Sequence, residues 1–261
     1  MKSEEKKALY HLFRVALDAM EGFKSASPYP IFTDDTLHEK RECSEPPNTI
    51  IDASYSNIEI SKVLNNKKIY NSIEEIKADV LTCKACQLCK SKVNIVFGEG
   101  PKETIGLLEH PPVLVIGEAP GYDEDIQGRP FVGASGKLLD KMLNAIELSR
   151  TKNCFITNIV KCRPPENRNP GKDEIIACSH FLEEQIRLLS PKIILLLGTV
   201  ALKSLFNTEK GISHLHGKLF YYNDTIPTIA TYHPSALLRN ESLKRPAWDD
   251  LKFFRSKLQN L

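Results

Sequence analysis

The chain has 261 residues, 41% hydrophobic and 26% charged, with a formal net charge of +2. That is an ordinary globular composition, and no apolar run approaches the roughly 20 residues of a membrane span. Near-neutral charge excludes a uniformly basic nucleic-acid binder, so any such contact rests on local basic patches.

The N-terminal MKSEEKKALYHLF carries acidic residues and lacks the apolar core of a signal peptide. The expected compartment is the cytoplasm, where thiols stay reduced. Seven cysteines then read as metal ligands or bystanders rather than disulfides. Residues 3–22 show helical spacing, with Leu9, Leu12, Phe13, Ala16, Leu17 and Met20 on one face. The Pro-, Ser- and charge-rich stretch that follows has no periodicity and reads as a linker. Residues 1–70 are therefore assigned to an N-terminal helix and flexible linker, and residues 71–261 to the folded domain. A short helix is predicted to resume at Ser72, whose hydroxyl caps it, with Glu75 completing a capping box.

From Pro112 the pattern is regular. PVLVIG, CFITNIV and KIILLLG are continuous apolar runs, suited to strands covered on both faces. They alternate with helical patterns in SGKLLDKMLNAIEL, KDEIIACSHFLEEQIRLL and TVALKSLF. GKLFYYN and TIPTIATYHP add a turn-linked strand pair, and PAWDDLKFFRSKL closes the chain as an amphipathic helix. Alternation of this kind predicts an α/β fold, a three-layer α/β/α sandwich around a mostly parallel sheet. Ligands gather at the carboxyl ends of such strands. Four polar segments fall there: GEAPG, the stretch from Asn158 to Arg168, GTVA and HPSALLR.

The cysteines form a second pattern. Cys83, Cys86 and Cys89 sit in LTCKACQLCK, and Cys162 and Cys178 flank the stiff basic loop RPPENRNPGKDEIIA. A C-x-x-C pair places two thiolates on one metal or cluster. The second pair is far apart, which favours an iron–sulfur cluster over zinc without deciding between them. Cys89 competes with Cys83 as the partner of Cys86. Cys154, in a strand, and Cys43, in the linker, read as structural thiols.

VFGEG, GEAPGYDEDIQGRPFVG, TNIVKCRPPENRNP and HPSALLR, in that order, resemble the family 4 uracil-DNA glycosylases, which carry a [4Fe–4S] cluster. The resemblance runs from about Thr82 to the C-terminus. It implies that Cys83, Cys86, Cys162 and Cys178 hold the cluster, in a structural role. It implies that Gly117, Glu118, Ala119, Phe131, Asn158 and His233 line the uracil, with Phe131 stacking on the ring. It also implies catalytic roles for His233 and for Glu118 or Glu124, Glu118 being the more directly placed in the turn. Related families put an aspartate where this chain has Ala119, which leaves the water-handling residue open between the two glutamates. Asp123 and Asp125 read as a solvated acidic cluster.

The chemistry fits these residue types. A glycosylase takes the base out of the stack into a pocket. It then needs donors at the oxygens of a leaving uracil anion. An amide such as Asn158 offers a donor and an acceptor to an imide edge. Arg163, Arg168 and Arg239 are the expected phosphate contacts. Leu237 or Leu238 is expected to fill the vacated stack, Leu237 being assigned to the DNA-binding set. His214 and His216 read as surface or packing residues. No inserted basic loop adjoins HLHG, so hydrolysis is expected rather than a covalent link to the product. The expected partner is uracil-containing DNA, single- or double-stranded, bound by a monomer. A cluster-stabilised DNA-binding module without catalysis is the alternative.

Overall fold

The computed structural model describes residues 68–101 and 112–261. The helix assigned to residues 3–22, most of the linker, and Cys43 lie outside the described residues.

Helix α1 (Ile73–Leu81) starts where the sequence places it. The Ser72 hydroxyl accepts the Glu75 N–H at 3.2 Å. The return arm of the predicted capping box goes elsewhere: the Glu75 carboxylate accepts from Asn71 N–H at 2.8 Å, one residue before the cap. Tyr70 is buried. Its N–H donates to Glu184, and its carbonyl accepts from Arg187. The packed region thus reaches one residue into the segment assigned to the linker.

Strands β1 (Val113–Gly117), β2 (Cys154–Asn158), β3 (Ile193–Leu197), β4 (Leu219–Tyr222) and β5 (Ile226–Thr231) form one sheet in the order β2-β1-β3-β5-β4. All neighbours are parallel except the β4–β5 pair. The first three strands are buried at every position, which is why they read as unbroken apolar runs rather than alternating ones. The connecting helices are α2 (Tyr122–Gln127) and α3 (Ala134–Asn144) after β1, and α4 (Lys172–Leu189) after β2. After β3 come α5 (Gly198–Phe206) and α6 (Ile212–Leu215). Helices α7 (Pro234–Arg239) and α8 (Lys244–Leu258) follow β5. Leu114, Ile116, Ile194, Leu196 and Ala230 share one core cluster with residues of α1, α4 and α5. The alternate strand residues face the other layer. The sequence ran α3 on to Leu148. In the structure it ends at Asn144, and the chain turns through Glu147 at φ 64°.

The VFGEG segment covers the open edge of β2. Glu99 pairs with Ile156 in an antiparallel bridge whose two bonds measure 2.9 and 2.7 Å. A side chain on Gly98, at φ 136°, would stand 2.6 Å from the Phe155 ring, so both sterics and backbone conformation require glycine there. Beyond β2 the chain keeps pairing with the β1 end. Ile159 N–H donates to the Gly117 carbonyl at 3.0 Å, and Val160 N–H to that of Glu118 at 3.2 Å. These bonds bring GEAPG and the basic loop side by side. The order of strands places the β1–β3 crevice at the reversal of winding, where open α/β sheets take their ligands.

Candidate active site and nucleic-acid interface

A cleft of about 520 Å³ opens at the carboxyl ends of β1, β2, β3 and β5. It takes in the GEAPG turn, the start of α5, the loop before α4, and the start of α7. Of the residues assigned from sequence, Glu118, Ala119, Glu124, Phe131, Asn158, Arg168, His233 and Arg239 line it.

Phe131 and Gly117 meet at its base. The ring lies so close that a Cβ on Gly117 would stand 2.5 Å from Phe131 Cζ and 2.5 Å from Asn158 Oδ1. Phe131 itself has a left-handed backbone, φ 52°, which is unusual for a bulky residue and marks a held conformation. Asn158 is 1% exposed, and its Oδ1 is buried without a hydrogen-bond partner. A buried acceptor left unpaired is costly, so this atom is set to receive a donor from whatever enters the cleft.

The His233 ring centroid is 5.7 Å from that of Phe131. Its Nδ1 accepts the Ser235 N–H at 3.1 Å, which caps α7, and lies 2.8 Å from Ser235 Oγ. The proton of the neutral ring is therefore on Nε2. Burial, then the Arg239 charge, lower its pKa to about 4, against a smaller opposing effect of Glu124. His233 thus stands ready as a neutral donor.

The two glutamates differ. Glu118 is half-buried, and burial raises its pKa. The Glu124 carboxylate is engaged by backbone: Oε1 accepts from Val132 N–H at 2.8 Å and Gly133 N–H at 3.0 Å, and Oε2 from Gly121 N–H at 3.1 Å. It ties the GEAPG turn to the Phe131 turn. Asp125 is not part of a solvated cluster. It is 1% exposed, and its Oδ1 accepts from Val93 and Asn94 N–H.

Helix α5 starts directly at Gly198, φ 88°, and no side chain caps its first turn. Gly198, Thr199 and Val200 line the cleft, so the positive end of a helix dipole faces it. The sequence pointed to GTVA only by its place at a strand end.

The basic loop is stiffer than its composition suggests. Arg168 does not project freely: it pairs with Glu174 at 2.9 and 2.7 Å, and Glu174 also accepts from Gly171 N–H at 2.7 Å. Arg163 lies 5.1 Å from the centre of the exposed Tyr122 ring and donates to Asn167 at 2.8 Å. Lys161, at the start of the loop, is 1% exposed. Its ammonium donates to Thr157, the Asn158 carbonyl and Gln185, each at 2.7 Å. Arg239 is exposed at the cleft rim. Of the two leucines expected to serve as the wedge, Leu237 is 2% exposed and Leu238 is 44% exposed. Successive positions on an α-helix diverge by about 100°, and the apolar interior takes the first.

Cys83, Cys86, Cys162 and Cys178 line one cavity with Cys89 and the apolar Val80, Leu88, Ile95 and Phe181. Burial, then neighbouring thiolate charge, pushes the Cys162 thiol up to about 12. Cys162 and Cys178 both feel Cys83 and Cys86, while Cys89 acts on Cys86. Among the described residues no group of His, Cys, Asp and Glu is set for a single metal ion. Cysteine thiolates are the ligands of an iron–sulfur cluster, and the five thiols around this apolar cavity include the four that one would need.

Comparison with known proteins bears on this arrangement. Residues 105–252 match the family model described as the uracil DNA glycosylase superfamily. The chain is 43% identical over 193 residues to the type-4 uracil-DNA glycosylase of Sulfurisphaera tokodaii, covering 71% of this chain and 84% of that one. It is 38% identical over 188 residues to that of Archaeoglobus fulgidus (69% and 90%) and 38% over 187 residues to that of Thermotoga maritima (70% and 93%).

Proposed function

Since the chain belongs to the uracil-DNA glycosylase superfamily, we propose that its cleft binds a uracil turned out of DNA and that its strand-end residues carry the hydrolysis. The enzyme is a DNA glycosylase that cleaves the bond between uracil and its sugar and leaves an abasic site for repair. The observation that carries the pocket assignment is the buried, unpartnered Asn158 Oδ1 beside Phe131 and His233. It matches the one N–H on the uracil imide edge. A DNA-binding module without catalysis has no use for such an atom.

Phe131 stacks on the base. His233 donates from Nε2 to a uracil oxygen as negative charge grows there, and the α5 N-terminus adds to that field. Both act without a proton transfer from solvent. The sugar develops oxocarbenium character in the same step. Glu118 holds and orients the attacking water, while Glu124, its oxygens engaged by three backbone donors, fixes the turns on either side. Arg239 contacts phosphate, and Leu238 fills the vacated stack. Arg163 and Arg168 shape the loop that lies along the DNA.

Cys83, Cys86, Cys162 and Cys178 would hold a [4Fe–4S] cluster, which when bound joins the segment after α1 to both ends of the basic loop. These residues keep the loop in place and take no part in the reaction. In this reading the protein works as a monomer on uracil-containing DNA, single- or double-stranded, in the cytoplasm. Among the described residues no helix is long and apolar enough to cross a membrane. The assignment of residues 1–70 to an N-terminal extension predicts that a chain beginning at Lys68, ahead of the packed Tyr70, keeps full excision activity.

The test is a labelled oligonucleotide with one uracil, incubated with anaerobically purified protein and then treated with alkali. Strand cleavage at uracil and not at thymine, weakened by Asn158→Asp, is the expected result. Equal cleavage by the variant would show that the Asn158 amide NH2 is not needed, since aspartate keeps the acceptor oxygen; equal cleavage by Asn158→Leu would remove Asn158 from the pocket.

A further inference from the structure

Phe131 sits in a strained turn, and the strain needs a counterforce. Its left-handed backbone, φ 52°, is not supported by glycine-like freedom. The start of α3 presses on the same peptide: a Cβ on Gly136 would stand 2.0 Å from both the carbonyl carbon and oxygen of Phe131.

The side chain that engages this turn from behind is Arg150, in the loop before β2 and outside the cleft lining. It is 8% exposed. Its Nη1 donates to the Pro130 carbonyl and its Nη2 to the Phe131 carbonyl, each at 2.8 Å. The guanidinium is itself held in place. Nε donates to Asp140 at 2.9 Å and Nη2 lies 2.8 Å from the same carboxylate, on α3. Nη1 lies 3.3 Å from Glu99 of the VFGEG segment, and Arg129 pairs with Glu99 from the other side at 2.7 Å. One planar group thus joins two adjacent carbonyls of the Phe131 turn to α3 and to the segment that covers β2. Only the fork of an arginine satisfies two carbonyls and a carboxylate in one plane.

We propose that Arg150 is a positioning residue for base excision, which holds the Phe131 ring against Gly117 and so sets the plane on which the extruded base lies. The proposal rests on the assignment of Phe131 to the uracil pocket. It gives the Arg129–Glu99–Arg150–Asp140 chain of charges a purpose at the active site rather than at the surface.

The test is a double-substitution cycle with Arg150→Lys and Phe131→Ala, on full-length protein with its cluster, using single-turnover excision at saturating DNA. Lysine keeps the charge but cannot hold both carbonyls. The expected result is a rate loss on the order of 100-fold for Arg150→Lys, with DNA affinity unchanged and little further loss when it is added to Phe131→Ala. Losses that multiply in the double variant, or a change in DNA affinity in place of rate, would overturn the proposal. Amide exchange at Val132 and Gly133 supplies a readout that does not depend on the reaction. Selective acceleration in Arg150→Lys is expected, and unchanged protection overturns the proposal even if the wild type proves inactive. Absence of uracil excision by wild-type protein, by contrast, would strike the functional assignment and leave the exchange result to judge Arg150. Should Arg150→Lys fold poorly, Arg150→Ala supplemented with guanidinium ion takes its place, with recovery of rate expected and no recovery counting against the proposal.

Discussion

At the scale of single residues, Glu118 and Glu124 look interchangeable in GEAPGYDEDIQG, yet their surroundings differ: three backbone donors engage Glu124, and burial raises the pKa of Glu118. Replacing Glu124 with Gln puts an NH2 group against a backbone N–H that the carboxylate now satisfies. Thermal unfolding should show a loss of about 1–3 kcal/mol for it. Glu118→Gln removes a carboxylate already disfavoured by burial. It should keep or raise the melting temperature while excision slows on the order of 10²–10⁴-fold, the range of general acid–base contributions. Equal rates for Glu118→Gln and wild type would take the water-handling role away from Glu118.

The same environments set the response to pH. Burial and Arg239 lower the His233 pKa to about 4, so the ring stays neutral through the range where a free histidine titrates. Its contribution to stability is full above the ordinary histidine value and is lost as pH falls toward about 4. Burial raises the Glu118 pKa, so on acidification it loses its charge earlier than a free glutamate does. The excision profile should therefore be flat through neutrality and fall on the acid side with the Glu118 titration, and Glu118→Gln should abolish that limb. An inflection at the ordinary histidine pKa in single-turnover rates would show that a cationic His233 is the active form.

At the scale of elements, short helix α7 assigns two adjacent leucines to different tasks. Leu237 faces the core and Leu238 faces solvent. Leu237→Ala should lower stability by about 2–5 kcal/mol, as truncation of a buried leucine does. Leu238→Ala should leave stability within about 0.5 kcal/mol and slow excision from duplex DNA more than from single strands, since only the duplex has a stack to refill. Comparable rates on both substrates would leave the wedge role without a residue on this helix. Sequence periodicity does not resolve a single turn and a half, which is why HPSALLR reads only as a polar segment at a strand end and the two leucines are not separated.

At the scale of the whole molecule, the sheet gathers the pocket, and the thiols proposed to hold the cluster lie at both ends of the loop beside it. Cys162→Ser should lower iron content and the melting temperature together and weaken DNA binding, because the loop from Arg163 to Gly171 loses one anchor. Its effect on free uracil binding should be smaller, since Asn158, Phe131 and His233 are held by the strands and by Arg150. Iron content equal to wild type in this variant would exclude Cys162 as a ligand.

The sequence by itself determined the order of the strands and of the longer helices, because strands buried on both faces must be continuous apolar runs and their helices must be amphipathic; the short α2, α6 and α7 carried no such signal. It also determined which segments meet at the carboxyl ends of the strands, since parallel winding leaves them no other place, and its motifs named Phe131, Asn158 and His233 together. Tertiary structure alone decided how each polar group is engaged. Arg168 is bound to Glu174, Glu124 to three backbone donors, Asp125 to the chain before VFGEG and Lys161 to the interior. Arg150 and the unpaired Asn158 oxygen carried no mark in the sequence. Hydrogen-bond partners far apart in the chain leave no periodic signal: a residue type states what bonds it can make, and only packing states which of them are already made.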